Sequence, residues 1–278
     1  MSAVASPIET QQPTLVGNDL RRFWSLTWTL AVTDWKLRFY GSVLGYVWTL
    51  ARPFLFFGVI YFVFTEIVSV NKAINNYGVC ILFSLVLFNF LGEAVGGCVA
   101  SLVTRESLLR KMRFPRLAIP LSVVLTALFN LGMTLVAVLI FAIASGVYPN
   151  PHWLELPLII GGLVVFSTGL GLLLAALFVR YRDVQPIWEV VSQMLFYASP
   201  ILYVATTVPA KYADLYLANP IAVLMTETRH AVVDLSAPHP WQIASPAMML
   251  LPLAISLCVL ALGVWVFSRE APLIAENL

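Results

Sequence analysis

Long apolar runs alternate with short polar ones along most of this chain. Six runs approach the roughly 20 residues that a helix needs to cross a bilayer. They lie at about 46–67, 78–103, 117–146, 154–178, 186–204 and 247–267. Each predicts a membrane-crossing helix. The segment before them has another rhythm. From Asp19 to Phe39, the residues Arg22, Ser25, Thr29, Thr33 and Lys36 share one face at helical spacing. Leu20, Trp24, Trp28, Ala31 and Trp35 share another, with Asp19 suited to the N-cap. Tryptophans in a stripe beside basic residues predict a helix lying in the plane of the membrane interface, with a core-facing helix the other reading. Gly41 and Gly45 follow, where the chain can turn from lying flat to crossing. Residues 1–18 are polar, contain Pro7 and Pro13, and read as a disordered cytoplasmic tail. They lack the basic stretch and apolar stretch of a cleavable leader.

The polar interruptions carry the rest of the pattern. Residues 105–116, Arg-Glu-Ser-Leu-Leu-Arg-Lys-Met-Arg-Phe-Pro-Arg, hold five of the sixteen basic residues. Each of these charges would cost several kcal/mol in hydrocarbon, roughly 2.5–3.5 on insertion scales, so the segment must emerge on one face. Leu108, Leu109, Met112 and Phe114 stand among its charges as a small apolar set. Two readings are open: a short surface helix that docks on a partner, or a loop that sets topology. On a six-span topology, thirteen basic residues fall on one side: Arg21, Arg22, Lys36, Arg38, Arg52, the five just named, Arg180, Arg182 and Arg269. Three fall on the other: Lys72, Lys211 and Arg229. The positive-inside rule makes the richer side cytoplasmic and puts both termini there. Residues 205–235, broken by Asn219-Pro220, are too polar to span unaided and predict a re-entrant or interfacial hairpin on the outer face, with a plain outer loop the other reading. Gly161, Gly162, Ser167, Gly169, Gly171, Ala175 and Ala176 predict close helix approach in the fourth span.

Composition agrees with a polytopic membrane protein. The chain is 60% hydrophobic and 11% charged, with mean hydropathy +0.88, far from the roughly 25% charged residues of soluble domains. A net charge of +2 gives no footing for nucleic acid. Cys80, Cys98 and Cys258 lie in apolar runs and read as buried thiols. His152, His230 and His239 are scattered along the chain, which argues against a metal site. There is no Gly-Lys pair anywhere, so no P-loop for ATP. Nor is there an H-E-x-x-H or a G-x-S-x-G motif. Glu93, four residues after Asn89 on one helical face, is the main acid inside a span. It is either a functional residue or an acid sealed at a subunit interface. Aromatic residues reach 13%. Tyr46, Phe54, Phe90, Trp188, Phe196 and Tyr197 are candidates to line a path for a glycan, whose sugar C–H faces stack on flat rings; packing on lipid or core is the other role open to each.

Several segments together resemble a known family. They are Tyr-Gly-Ser-Val-Leu-Gly-Tyr-Val-Trp-Thr-Leu-Ala-Arg-Pro (40–53), Leu-Leu-Arg-Lys-Met-Arg-Phe-Pro-Arg-Leu-Ala-Ile-Pro-Leu-Ser (108–122), Arg-Tyr-Arg-Asp-Val (180–184), Ser-Pro-Ile-Leu-Tyr (199–203) and Asn-Pro (219–220). Their order resembles the permease subunit of type-2 ABC exporters of lipid-linked polysaccharides such as O-antigen and teichoic acid. The resemblance implies an all-α integral membrane protein. It would have six transmembrane helices, an N-terminal amphipathic interface helix over 19–40 and an outer re-entrant hairpin before the last span. It implies that 105–116 is a coupling helix, with Leu108, Leu109, Arg110, Lys111, Met112, Arg113 and Phe114 meeting a separate ATPase. Arg22, Trp24, Trp28, Trp35 and Lys36 of the interface helix would lie near that partner. A homodimer with two ATPase copies is implied, in the bacterial inner membrane. The chain itself would bind no cofactor, since ATP and magnesium belong to the partner. The family's pattern has small or polar residues where Glu93 stands. A type-2 permease for a drug or small lipid is an alternative reading. A membrane acyl- or glycosyltransferase is another, for which no acid/base pair assembles.

Overall fold

At the centre stands the second apolar run, a helix hydrophobic on every side and therefore buried on every side. Our structure is a computed structural model that describes residues 20–40, 43–67, 75–106 and 115–270. All its regular elements are helical. In order they are α1 (Leu20–Phe39), α2 (Val43–Phe62, prolonged by a π turn at Val63–Ile67), α3 (Tyr77–Thr104) and α4 (Ala118–Ala144). Then come α5 (Leu156–Arg180), α6 (Val184–Tyr197), α7 (Ala210–Leu217), α8 (Pro220–Thr228, prolonged by a π turn at Arg229–Val233), α9 (Pro240–Ile243) and α10 (Leu250–Glu270). The central helix is α3, from which Ile81, Leu82, Leu87, Leu91, Ala94 and Cys98 are wholly withdrawn from the surface or nearly so. It packs on α4, α5 and α6, while α2 and α10 lie at the periphery with large apolar side chains facing outward.

Helix ends follow local sequence. Gly146, at φ +88°, closes α4: its N–H donates to the Ile143 carbonyl at 3.0 Å and that of Val147 to Ala142 at 3.0 Å. This paired arrangement needs a left-handed residue, which glycine adopts without a Cβ clash.

Five helices among the described residues are long and apolar enough to cross a membrane: Val47–Ile67, Tyr77–Thr104, Ala118–Ala144, Pro151–Arg180 and Leu250–Glu270. The sixth expected span, 186–204, is not one of them. Its helix α6 has 14 residues and stops at Tyr197. At about 1.5 Å per residue that is about 21 Å, short of the roughly 30 Å hydrocarbon layer. The break is at Ser199-Pro200, where proline disfavours helical geometry in the residue before it. The chain then turns into α7 and α8, two short helices joined at Ala218 and Asn219. Ile221, Ala222 and Met225 of α8 are buried, and α8 packs on α5 and α10.

Asn219 holds this turn in two ways. Its side chain accepts from the Ile221 N–H at 3.0 Å, capping α8, and donates to Ser199 Oγ at 3.1 Å. Replacing Asn219 by leucine removes both bonds and is expected to lower stability by about 1–2 kcal/mol. A lower thermal midpoint of the detergent-solubilised protein checks this, and Asn219→Asp, which keeps the cap, should recover part of it.

The glycine-rich face of α5 meets α10 as its small residues predict. The two helices run side by side in the same direction and touch backbone to backbone. A Cβ on Gly263 would come within 2.1 Å of the Gly169 carbonyl oxygen, and one on Gly169 within 2.5 Å of Leu260 Cα. On its other side α5 presents Gly171 to Cys98 of α3, with a Cβ there 3.0 Å from the thiol sulfur.

Helix α1 docks on protein along one side. Its buried stripe is Phe23, Thr27, Ala31 and Phe39, which faces α4. The i, i+4 recurrence of these residues fixes that face. Trp24 and Trp28 remain exposed, as do Arg22 and Lys36. Two side chains of α4 fasten the helix. Thr126 Oγ1 donates to the Ala31 carbonyl at 3.3 Å, and the Phe129 ring meets Trp28 edge-on at 5.3 Å.

Candidate functional site: a polar cavity behind the interface helix

Four polar groups meet inside the helix body. Glu93 lies eleven residues before the end of α3 at Thr104 (104 − 93), and Asn130 twelve residues after the start of α4 at Ala118 (130 − 118). Each is therefore about 16–18 Å in from that end. The Asn130 amide donates to Glu93 Oε1 at 2.6 Å and accepts from the Trp35 indole at 3.0 Å. Arg38 of α1 donates to the same carboxylate oxygen. A carboxylate placed this deep is costly unless paired and hydrogen-bonded, and here it is both.

This network forms part of the wall of a cavity of about 680 Å³. Trp48, Thr49 and Arg52 of α2 line another wall, with Phe88, Asn89 and Phe90 of α3 and Ser192 of α6. Asn89 is the one exposed residue between Val79 and Leu91 on the otherwise buried α3, because it faces this space. Arg52 lies within a candidate span and has no ion-pair partner among the described residues. The cavity thus combines flat rings, hydroxyl and amide groups and a cation. Such a mix suits an amphiphilic ligand with hydroxyl-rich and anionic parts.

The residues singled out in the sequence divide. Glu93 and Phe90 line the cavity, and Phe90 is itself buried. Trp35 reaches its edge through Asn130. Phe54 instead packs edge-on against Phe141 at 6.2 Å. Trp188 is buried with its indole nitrogen toward Gly96. Phe196 meets Phe88 at 5.3 Å, and Tyr197 is exposed beside it. The Tyr46 side chain lies outside the described residues. So do Leu108, Leu109, Arg110, Lys111, Met112, Arg113 and Phe114, the 1–18 tail and Asp19. The sequence marks Arg38 and Arg52 only as charges of the basic side and leaves Asn130 unmarked. Their signal in the sequence was a polar group inside or beside an apolar run.

The opposite end of the protein holds a second polar cluster. The three histidines, scattered in sequence, meet there. His152 bonds Glu155 at 2.7 Å, its ring stands 5.8 Å from that of His230, and His230 lies 3.4 Å from His239. His239 bonds Glu227 at 3.1 Å and stacks on Trp241 at 3.8 Å. The spread along the chain was no guide, since the hairpin folds back over the α4–α5 turn. Burial pushes the Glu227 carboxyl above its ordinary range, and His239 opposes that shift. No group of three or more His, Cys, Asp or Glu among the described residues is arranged to hold a metal ion.

Comparison with known proteins decides the family. Residues 25–232 match the family described as "ABC-2 type transporter". This chain belongs to the ABC-2 transporter family. It is a multi-pass membrane protein and a transport permease, in a family whose ATP hydrolysis lies in a partner subunit. Among similar proteins is the O-antigen export system permease protein RfbA of Myxococcus xanthus. It is 31% identical over 254 residues, which cover 91% of this chain and 95% of that one. The protein of the same name in Klebsiella pneumoniae is 29% identical over 70% of this chain and 75% of its own length. The polysialic acid transport protein KpsM of Escherichia coli is 21% identical over 73% and 80%. The matched region takes in α1 from Ser25 onward, the polar cavity and the hairpin as far as its π turn.

Proposed function

We propose that this ABC-2 permease exports a lipid-linked polysaccharide, of the O-antigen or a related cell-envelope type, across the bacterial inner membrane. It works as a homodimer with two copies of a separate ABC ATPase, and both termini are cytoplasmic. The observation that carries this reading is the 680 Å³ cavity, where Trp48 and Phe88 offer stacking faces, Asn89 and Ser192 offer hydrogen bonds, and Arg52 offers a positive charge. Sugar rings present apolar faces with hydroxyl edges, and a glycan carried on a phosphate-bearing lipid adds an anion. The names of the relatives point the same way, and the thirteen-to-three charge bias supports the orientation.

Energy enters from the partner. Leu108, Leu109, Met112 and Phe114 sit in a groove of the ATPase, with Arg110, Lys111 and Arg113 at its rim. The hairpin of α7 and α8 re-enters the membrane from the outer face and caps the path. No cofactor binds this chain, and ATP with magnesium stays on the ATPase.

The purified permease alone is expected to hydrolyse no ATP. Co-purified with its ATPase it should form a four-subunit complex that does. Leu109→Asp with Phe114→Asp should lower substrate-coupled hydrolysis by about tenfold, equivalent to about 1.4 kcal/mol. Intact coupling in that double variant refutes the docking assignment. Depleting the permease in cells should make a lipid-linked glycan accumulate inside, and its absence points instead to a drug or small-lipid permease.

A further inference from the structure

Helix α1 is tied to α3 by two ion pairs of opposite sense. Arg38 on α1 donates to Glu93 on α3, and Asp34 on α1 accepts from Arg105 just beyond the end of α3. On α1 the two charges are four residues apart (38 − 34), one helical turn. On the facing segment they are twelve apart (105 − 93), or about 18 Å. The side chains therefore splay away from each other to reach their partners. Between them lies a second cavity of about 260 Å³, floored by Gly97, Ala100, Ser101 and Thr104 of α3. No large side chain fills it.

Arg38 and Glu93 line this smaller cavity and the 680 Å³ cavity alike. Their ion pair is the partition between the two. On one side of it the space reaches Arg105 at the basic end, and on the other it reaches Asn89 deep within the spans.

The charges left behind have other partners within reach. Asp34 and Arg38 stand at the i, i+4 spacing at which opposite charges pair along one helix. Glu93 keeps the Asn130 amide, and Arg105 keeps the Ser122 hydroxyl at 3.3 Å. We propose that Asp34, Arg38, Glu93 and Arg105 form an exchangeable clasp. In the closed arrangement the pairs cross from α1 to α3 and the partition stands. In the open arrangement Arg38 turns to Asp34, and the two cavities join along α1. Arg38 and Glu93 are positioning residues for transport by this account, and Asp34 lowers the cost of releasing Arg38.

The clasp rests on the proposed export function only for its use, so the test reads the partition itself. Asn89→Cys is introduced into the full-length permease with Cys258→Ser, in complex with its ATPase in inside-out vesicles. A membrane-impermeant maleimide is then added at the basic end. Glu93→Gln, which retains a partner for Asn130, should raise the labelling rate about tenfold. Exchanging the charges, as Arg38→Glu with Glu93→Arg, should bring it back near the parent rate. Asp34→Asn should keep labelling at or below the parent rate when ATP is added. An unchanged rate in Glu93→Gln overturns the proposal, and so does failure of the exchange to restore it in a variant that elutes as the parent complex. None of these readouts needs a transported substrate, so a wrong substrate assignment leaves the result standing.

Discussion

Gly263→Leu is expected to prevent α10 from seating on α5. The glycine pair brings the two backbones into contact, and a Cβ at 263 would sit 2.1 Å from the Gly169 carbonyl oxygen. That neighbour is backbone, not the movable end of a side chain, so the helices themselves must separate. Overpacking in a well-packed core typically costs about 1–3 kcal/mol, and a backbone obstruction belongs at or above the top of that range. Association of membrane helices depends on such close packing, because lipid is as apolar as the side chains. The variant should elute from size exclusion in detergent mainly as aggregate, with little of the parent species. Gly263→Ala should show a milder form of the same defect. Gly161→Leu, on the glycine-rich partner helix α5, serves as a control, since a Cβ there meets nothing within 4 Å. A parent-like profile for Gly263→Leu refutes the crossing.

Ala31→Leu should release α1 while leaving the other helices folded. Ala31 is wholly buried, and its carbonyl accepts from Thr126 of α4. Larger side chains at a fully packed position cost about 1–3 kcal/mol, enough to shift a docking equilibrium about tenfold for each 1.4 kcal/mol. Thr27→Cys, buried on the same stripe, provides the readout. Its thiol should react slowly with maleimide in the parent and about tenfold faster beside Ala31→Leu, with the elution profile unchanged. Transport should fall with it, because the 680 Å³ cavity loses the Arg38 side of its wall. Trp24→Ala on the exposed face should leave the thiol protected. Were Trp24 the docking residue, the two variants would exchange behaviour.

Why was the apolar half of this fold legible in the sequence? Long runs declare spans by length alone, and the small residues of α5 declare a close crossing because they let backbones approach. The run at 186–204 reads as one helix because its hydropathy persists past Ser199-Pro200, where α6 ends. Local hydropathy does not register a proline-directed turn that is covered by a hairpin arriving later in the chain. The interface helix showed its amphipathic character in sequence, but the stripe that docks is set by Thr126 and Phe129 of α4. A helix whose Ala31 falls beside both the tryptophan stripe and the Phe23-Thr27 stripe does not announce which side meets protein. Glu93 stood out as an acid in an apolar run. Its partners did not, for Arg38 is 55 residues away and Asn130 is 37.

The gathering of His152, His230 and His239 gives the protein a built-in reporter. The chain has three imidazoles among its 278 residues, and all of them sit where the hairpin meets the α4–α5 turn. Isotope labelling of histidine alone would therefore give a magnetic-resonance spectrum of one location, uncrowded by signals from the remaining helices. Ring-current effects from Trp241, stacked on His239 at 3.8 Å, would spread those resonances. Any opening of the hairpin would be visible in unmodified protein, without an attached dye or spin label.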